Sequence, residues 1–140
     1  MRARHRPLKI AATASALTAA SLPLWASPAG AGSSPDESHT TVKTVTVNGV
    51  ACQVRLSSDR FGEHVDGFTL VISTAAACAT QRINVGVEFK TPHGDTAFAA
   101  TDGSGSRAAV AGGGAVDLVR STHIVVFSDG TSGSWTMESK

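Results

Sequence analysis

A chain of 140 residues with twelve Lys and Arg against eleven Asp and Glu has a formal net charge of +1, and it is 41% hydrophobic but only 5% aromatic. That is one domain's worth of residues, too few for a large enzyme scaffold. Four of the basic residues fall in the first nine positions; without them eight basic face eleven acidic residues, a net of −3, and no Lys/Arg cluster follows Lys9, which argues against nucleic acid or an anionic membrane as the main partner.

Arg2, Arg4, Arg6 and Lys9 lead into an apolar stretch from Ile10 to Trp25, which ends near Ala29-Gly30-Ala31. A basic start, an apolar middle and a small-x-small site are the order of a secretory signal peptide, here 1–31. We place the cut after Ala31, with Leu24-Trp25-Ala26 as the alternative site. Thr13, Ser15, Thr18, Ser21 and Pro23 interrupt the apolar run. A stable span needs about 20 continuous apolar residues, so no stable membrane anchor is expected. There is no twin arginine and no Cys just after the cut, which points to ordinary export and an extracellular location. The Ala-, Gly- and Val-rich composition, with Arg outnumbering Lys, suggests a bacterial source.

Residues 32–40 are polar, without periodicity, and read as a flexible leader before a single β-domain at 41–140. Thr41–Val47 and Val50–Ser57 alternate around Asn48-Gly49, the strongest short hairpin signal. A two-residue loop pairs Val47 with Val50, Val45 with Cys52, Lys43 with Val54 and Thr41 with Leu56, and it points Cys52 inward. Ser58–Gly67 reads as a polar loop holding one large apolar residue, Phe61. Phe68, Leu70 and Ile72 alternate with Thr69, Val71 and Ser73 as a third strand. Ser73–Gln81 is a loop or a short helical turn carrying Cys78.

Ile83, Val85, Val87 and Phe89 make the cleanest strand, which turns at Thr91-Pro92-His93-Gly94-Asp95. Thr96–Thr101 is its partner, with Ala97 and Ala99 on one face and Phe98 on the other. Asp102–Ser106 is a turn, and Gly112-Gly113-Gly114 marks a loop between two short strands. Ile124–Phe127 is a short buried strand, Asp129–Gly133 a turn, and Ser134–Glu138 the last strand, with Trp135 exposed or capping the core. About seven to eight short strands without a real helix define an all-β fold, an antiparallel β-sandwich or small barrel. Phe68, Phe89 and Phe127 are expected to face inward.

Cys52 and Cys78, the two cysteines, are expected to form one disulfide once exported. It closes a loop worth roughly 3.5 kcal/mol in the chain-entropy model. Nothing resembles Cys-x-x-Cys, so a redox pair is set aside.

His64, His93 and His123 match no metal-ligand spacing, and they read as loop side chains, with His123 near a strand start. Asp102 and Asp129 each offer one carboxylate in an Asp-Gly turn, too few for a tight Ca²⁺ site. No metal and no cofactor is therefore expected. Gly103-Ser104-Gly105 lacks the frame of a nucleophile elbow, so no catalytic residue is assigned. The binding candidates are Phe61, His64, His93 and Trp135, presented with the loops Ser58–Gly67, Thr91–Asp95 and Gly112–Gly114.

The reading is a small secreted bacterial β-domain that binds a protein or small ligand outside the cell, with an inhibitor presenting Thr91-Pro92-His93 as a special case. Two alternatives stand beside it: a small extracellular hydrolase using His64, His93 or His123, and an envelope-associated structural protein assembling through sheet edges.

Overall fold

A computed structural model of the chain describes residues 34–139. The expected signal peptide, 1–31, lies outside the described residues. Eight strands follow in chain order: β1 (Glu37–Val47), β2 (Val50–Phe61), β3 (His64–Val71), β4 (Thr80–Lys90), β5 (Thr96–Asp102), β6 (Arg107–Gly112), β7 (Asp117–Phe127) and β8 (Ser132–Glu138). They form two four-stranded antiparallel sheets, β1-β2-β3-β6 and β5-β4-β7-β8. Hairpins stay within a sheet, and the chain changes sheet after β3, β5 and β6. The two sheets stay separate, so the fold is sandwich-like rather than a closed barrel.

The first hairpin forms in the expected register, Val47 opposite Val50 and Val45 opposite Cys52. Asn48 and Gly49 both take positive φ, 49° and 78°, as a two-residue turn of this hand requires. The inward side chains of β2 and β3 meet those of β4 and β7. Val54, Leu56, Val71, Ile83, Val85, Val125 and Phe127 make one buried cluster, and Val65, Val87, Phe89 and Leu118 continue it.

Several boundaries differ from the sequence reading. Glu37–Thr40, read as leader, are the start of β1, because Glu37 and His39 have partners in the fold. Ser58–Gly67 is no loop. β2 runs to Phe61 and β3 begins at His64, because the polar residues there bond to each other and to the opposite sheet. β7 starts at Asp117, seven residues before the apolar run that announced it.

The third strand also has the opposite face inward. Val65, Gly67, Thr69 and Val71 are buried, whereas Phe68 and Leu70 are half-buried on the outer face and Ile72 is exposed. Phe68 is therefore not a core residue, while Phe89 and Phe127 are. Gly67 shows why the parity is fixed. A Cβ there would lie 2.4 Å from Val87 Cγ2, so the two sheets approach each other over a position that only Gly fits.

Cys52 and Cys78 are joined in a disulfide with a Cα–Cα distance of 5.6 Å. Both are buried. The bond ties the start of β2, at its third residue, to a single 3-10 turn, Ala76–Cys78, in the connection that carries the chain to the second sheet. Replacing both cysteines (Cys52→Ala with Cys78→Ala) is expected to cost roughly 3 kcal/mol in urea unfolding. Thiol titration of the unfolded, unreduced protein should find no free thiol.

Candidate functional site

One end of the sandwich gathers the three segments singled out in the sequence. Ala115 N–H donates to Glu63 O at 2.9 Å, joining the β6–β7 loop to the β2–β3 turn. Val116 N–H donates to Lys90 O at 2.8 Å, joining the same loop to the end of β4. The β4–β5 turn closes on itself, Thr91 N–H to Asp95 O and Gly94 N–H to Thr91 O, both 2.9 Å. Main-chain bonds thus hold the three tips together, and their side chains are left outward. His64, Pro92, His93, Gly113 and Gly114 are exposed there, and Val116 shows 46% of its surface.

An ion-pair cluster braces this pole. Arg60 Nε donates to Glu37 Oε2 at 2.6 Å, and Arg60 also reaches Gly62 O at 2.8 Å. Gly62 N–H donates to Asp36 Oδ2 at 2.7 Å. Glu37 Oε2 accepts from Leu118 N–H at 3.0 Å and Oε1 from Ser139 Oγ at 3.2 Å. One carboxylate therefore links β1, β2, β7 and the segment after β8. Burial alone would raise its pKa. The Arg60 guanidinium and the Leu118 and Ser139 donors outweigh that and hold it below the ordinary value. Glu37 in turn holds Arg60 above its usual range.

The candidates occupy unlike places. His64 and His93 are exposed at the pole. Phe61 faces His64 across the β2–β3 turn and is half-buried. Trp135 sits on β8 opposite His123, half-buried and packed against the main core cluster. The aromatic that does face solvent is Phe98, 62% exposed on the outer face of β5, where it lies over Gly86. The alternation of Ala97, Phe98 and Ala99 was the signal that could have singled it out.

His123 is not a loop residue near a strand start. It lies mid-strand in β7 and is fully buried. Its Nδ1 is 2.8 Å from Thr69 Oγ1 and its Nε2 is 2.9 Å from Ser121 Oγ. Thr69 Oγ1 donates to Asn84 O at 2.9 Å and so accepts from the ring Nδ1–H, while Ser121 Oγ, 3.2 Å from Ser58 Oγ, is the hydroxyl left to donate to Nε2 of the neutral ring. This polar seam joins β2, β3, β4 and β7 across the interface between the sheets. It does not bring His123 to His64 and His93. Among the described residues no cluster of three or more His, Cys, Asp or Glu is arranged to hold a metal ion.

A concavity of about 310 Å³ opens at the opposite end, beside the disulfide. Ser73, Thr74, Ala75, Ala79 and Thr80 line much of it, and it offers no charged or aromatic side chain. The loop pole is the richer surface. No protein-family model matches this chain, and neither a curated protein nor a solved structure does. The class of the chain is therefore what its own geometry defines, an all-β domain of two packed antiparallel sheets with one disulfide.

Two outcomes follow for this scaffold. Glu37→Ala should strand Arg60 and lower stability by about 2 kcal/mol or more, with Glu37→Gln intermediate. Urea melts of the three proteins at pH 7 check it.

The second concerns His123, whose pKa burial pushes down from 6.5 to about 4, against a weaker upward pull from a Phe68 backbone hydrogen bond. The unfolded chain takes up this proton below pH 6.5, the native state only below about pH 4. Stability present above pH 6.5 is thus lost as pH falls through that window, about 3 kcal/mol across it. Unfolding free energies at steps between pH 7 and pH 4 should show that loss, and the His123→Gln protein should lack this component of the slope.

Proposed function

We propose that this chain works outside the cell as a non-catalytic binding module, engaging a protein or small ligand through the loop pole. One observation carries the reading. The β2–β3, β4–β5 and β6–β7 connections are fastened to each other and to the strand ends by main-chain hydrogen bonds, leaving the side chains at the tips free. A surface fixed before contact loses little conformational entropy on binding. The tips mix two imidazoles, His64 and His93, with apolar Val116 and Pro92, a composition suited to a protein surface or a ligand of mixed polarity.

An inhibitor is the special case of the same reading. The Thr91–Asp95 turn is locked by its own two backbone bonds and presents Pro92 and His93 outward. Work outside the cell is supported by the basic, apolar, small-residue order of 1–31 and by the disulfide. No helix among the described residues is long and apolar enough to cross a membrane. The hydrolase alternative loses one of its three imidazoles, because His123 is sealed between the sheets with both ring nitrogens engaged.

Photo-crosslinking tests the reading. A photoreactive residue at position 93 or 116 should form adducts with a component of the medium or cell surface of the organism that makes the protein. The same residue at position 48, in the turn at the far end, should not. Equal labelling from both ends, or none from the loop pole, would count against it.

A further inference from the structure

We propose that two copies of this chain pair through β1, edge to edge, in an antiparallel two-fold arrangement centred on Val42. β1 is the outermost strand of its sheet, and at 11 residues it is the longest of the four edge strands; β5, β6 and β8 have 7, 6 and 7. β5 and β6 lie against each other on the far side of the sandwich. β1 contains no Pro or Gly, and its pairing with β2 runs without a register shift, so its edge is straight. Edges of that kind are usually blunted by such residues, by bulges or by charge, and of these β1 has only Lys43 and Glu37, both on the side of the strand away from the exposed stripe.

The direction of the unpaired backbone groups follows from β2. Gln53 turns its N–H to Ser73 Oγ at 2.8 Å and its carbonyl to Ile72 N–H at 2.9 Å, both on the β3 side. Its neighbours Cys52 and Val54 therefore bond toward β1, where they meet Val45 and Lys43. Thr44, opposite Gln53, then points its own N–H and carbonyl away from β2. By the same alternation so do Ser38, Thr40, Val42 and Thr46. These residues form one uncharged stripe along the free edge.

That stripe is complementary to itself. Val42 is the midpoint of Glu37–Val47, so an antiparallel pairing about it overlaps the whole strand. It sets Val42 against Val42, Thr40 against Thr44 and Ser38 against Thr46, and closes about ten main-chain hydrogen bonds. On the inward face it sets Thr41 against Lys43, His39 against Val45 and Glu37 against Val47, with no like charges directly opposite. Val42, 45% exposed on an outer face that also carries Leu70 and Ile72, meets its own copy on the axis. The same axis sends the two loop poles in opposite directions, because β1 starts at the pole. If that pole binds, as proposed above, the dimer is a two-ended binder.

Sedimentation of the protein from micromolar to about 1 mM, where even a small interface assembles, should show a monomer–dimer equilibrium. Thr44→Pro removes only an N–H that faces the free edge. It should leave the melting curve near that of the parent and abolish the dimer. Val42→Lys puts two charges across the axis and should do the same, which keeps the test standing if the first variant misfolds. Val42→Cys should give a disulfide-linked dimer under mild oxidation, whereas Asn48→Cys, in the turn, should not. A monomer at every concentration, or dimers that persist in both Thr44→Pro and Val42→Lys, would overturn the proposal. Loss of the dimer with crosslinking from the loop pole intact separates it from the binding reading.

Discussion

A neutral imidazole between two sheets is the constraint on which this sandwich turns. His123 is fully buried, and burial keeps its ring uncharged, while the hydroxyls of Thr69 and Ser121 give both of its nitrogens a polar partner. Those partners fix strand parity. Thr69 must face inward, which sends Phe68 and Leu70 to the outer face of β3. Ser121 and His123 must both face inward, which sets β7, and Ser58 must meet Ser121, which sets β2. A slip of one residue in β3 would bury Phe68 or Leu70 beside the ring and turn Thr69 into solvent. The apolar clusters on either side of the seam tolerate some exchange of shape. The seam does not, because an unpaired polar group left in this interior costs about 1–3 kcal/mol.

That seam also explains what could and could not be read from the sequence. The turn and register of the β1–β2 hairpin were legible, though not its outer ends, since Asn48-Gly49 and the alternation from Val45 to Leu56 agree with each other. The disulfide was legible because two cysteines without Cys-x-x-Cys spacing, in a chain expected to be exported, have few other uses. β4 and β5 were legible because their inward positions are apolar or small throughout. The failures fall where inward positions are polar. In β3 the apolar residues Phe68, Leu70 and Ile72 look like the core face, yet Thr69 holds the inward place through bonds to residues 15 and 54 positions away. In β7 the alternation of Ser121, His123 and Val125 counts as strand only once the first two are known to be paired inside. Glu37 was lost to the leader for the same reason, since its partners Arg60, Leu118 and Ser139 lie far along the chain.

The loop pole was half legible. The candidate segments were found one by one, Thr91–Asp95 as a turn from Pro and Gly, Gly112–Gly114 as a loop from its glycines, and Ser58–Gly67 as a polar loop that is in fact two strand ends and a tight turn. Their convergence comes from topology, because β2, β4 and β6 end at the same end of the molecule, and no local pattern carries that information. The exposed aromatic was misjudged through weighting rather than through pattern. Trp135 drew attention by its type, whereas it closes the core beside His123; Phe98, flanked by small residues, is the ring that stands in solvent.

The pole divides its residues between surface and support. The tips are held by main-chain donors and acceptors, Ala115 to Glu63, Val116 to Lys90, Thr91 to Asp95, so apart from the positive-φ glycines Gly62, Gly94 and Gly114 their conformations depend little on which side chains they carry. The side chains that do hold the pole, Glu37 and Arg60, sit below the tips, less than one-fifth exposed. Substitution at His64, His93 or Val116 therefore changes the surface with small effect on stability, within about 0.5 kcal/mol for exposed positions of this kind. Substitution at Glu37 or Arg60 does the reverse. A scaffold that separates the two sets of residues can vary its contacts without losing its fold. In this chain the separation starts at β1, where Glu37 anchors the pole from the inward face while the outward face and free edge keep only Ser, Thr and Val.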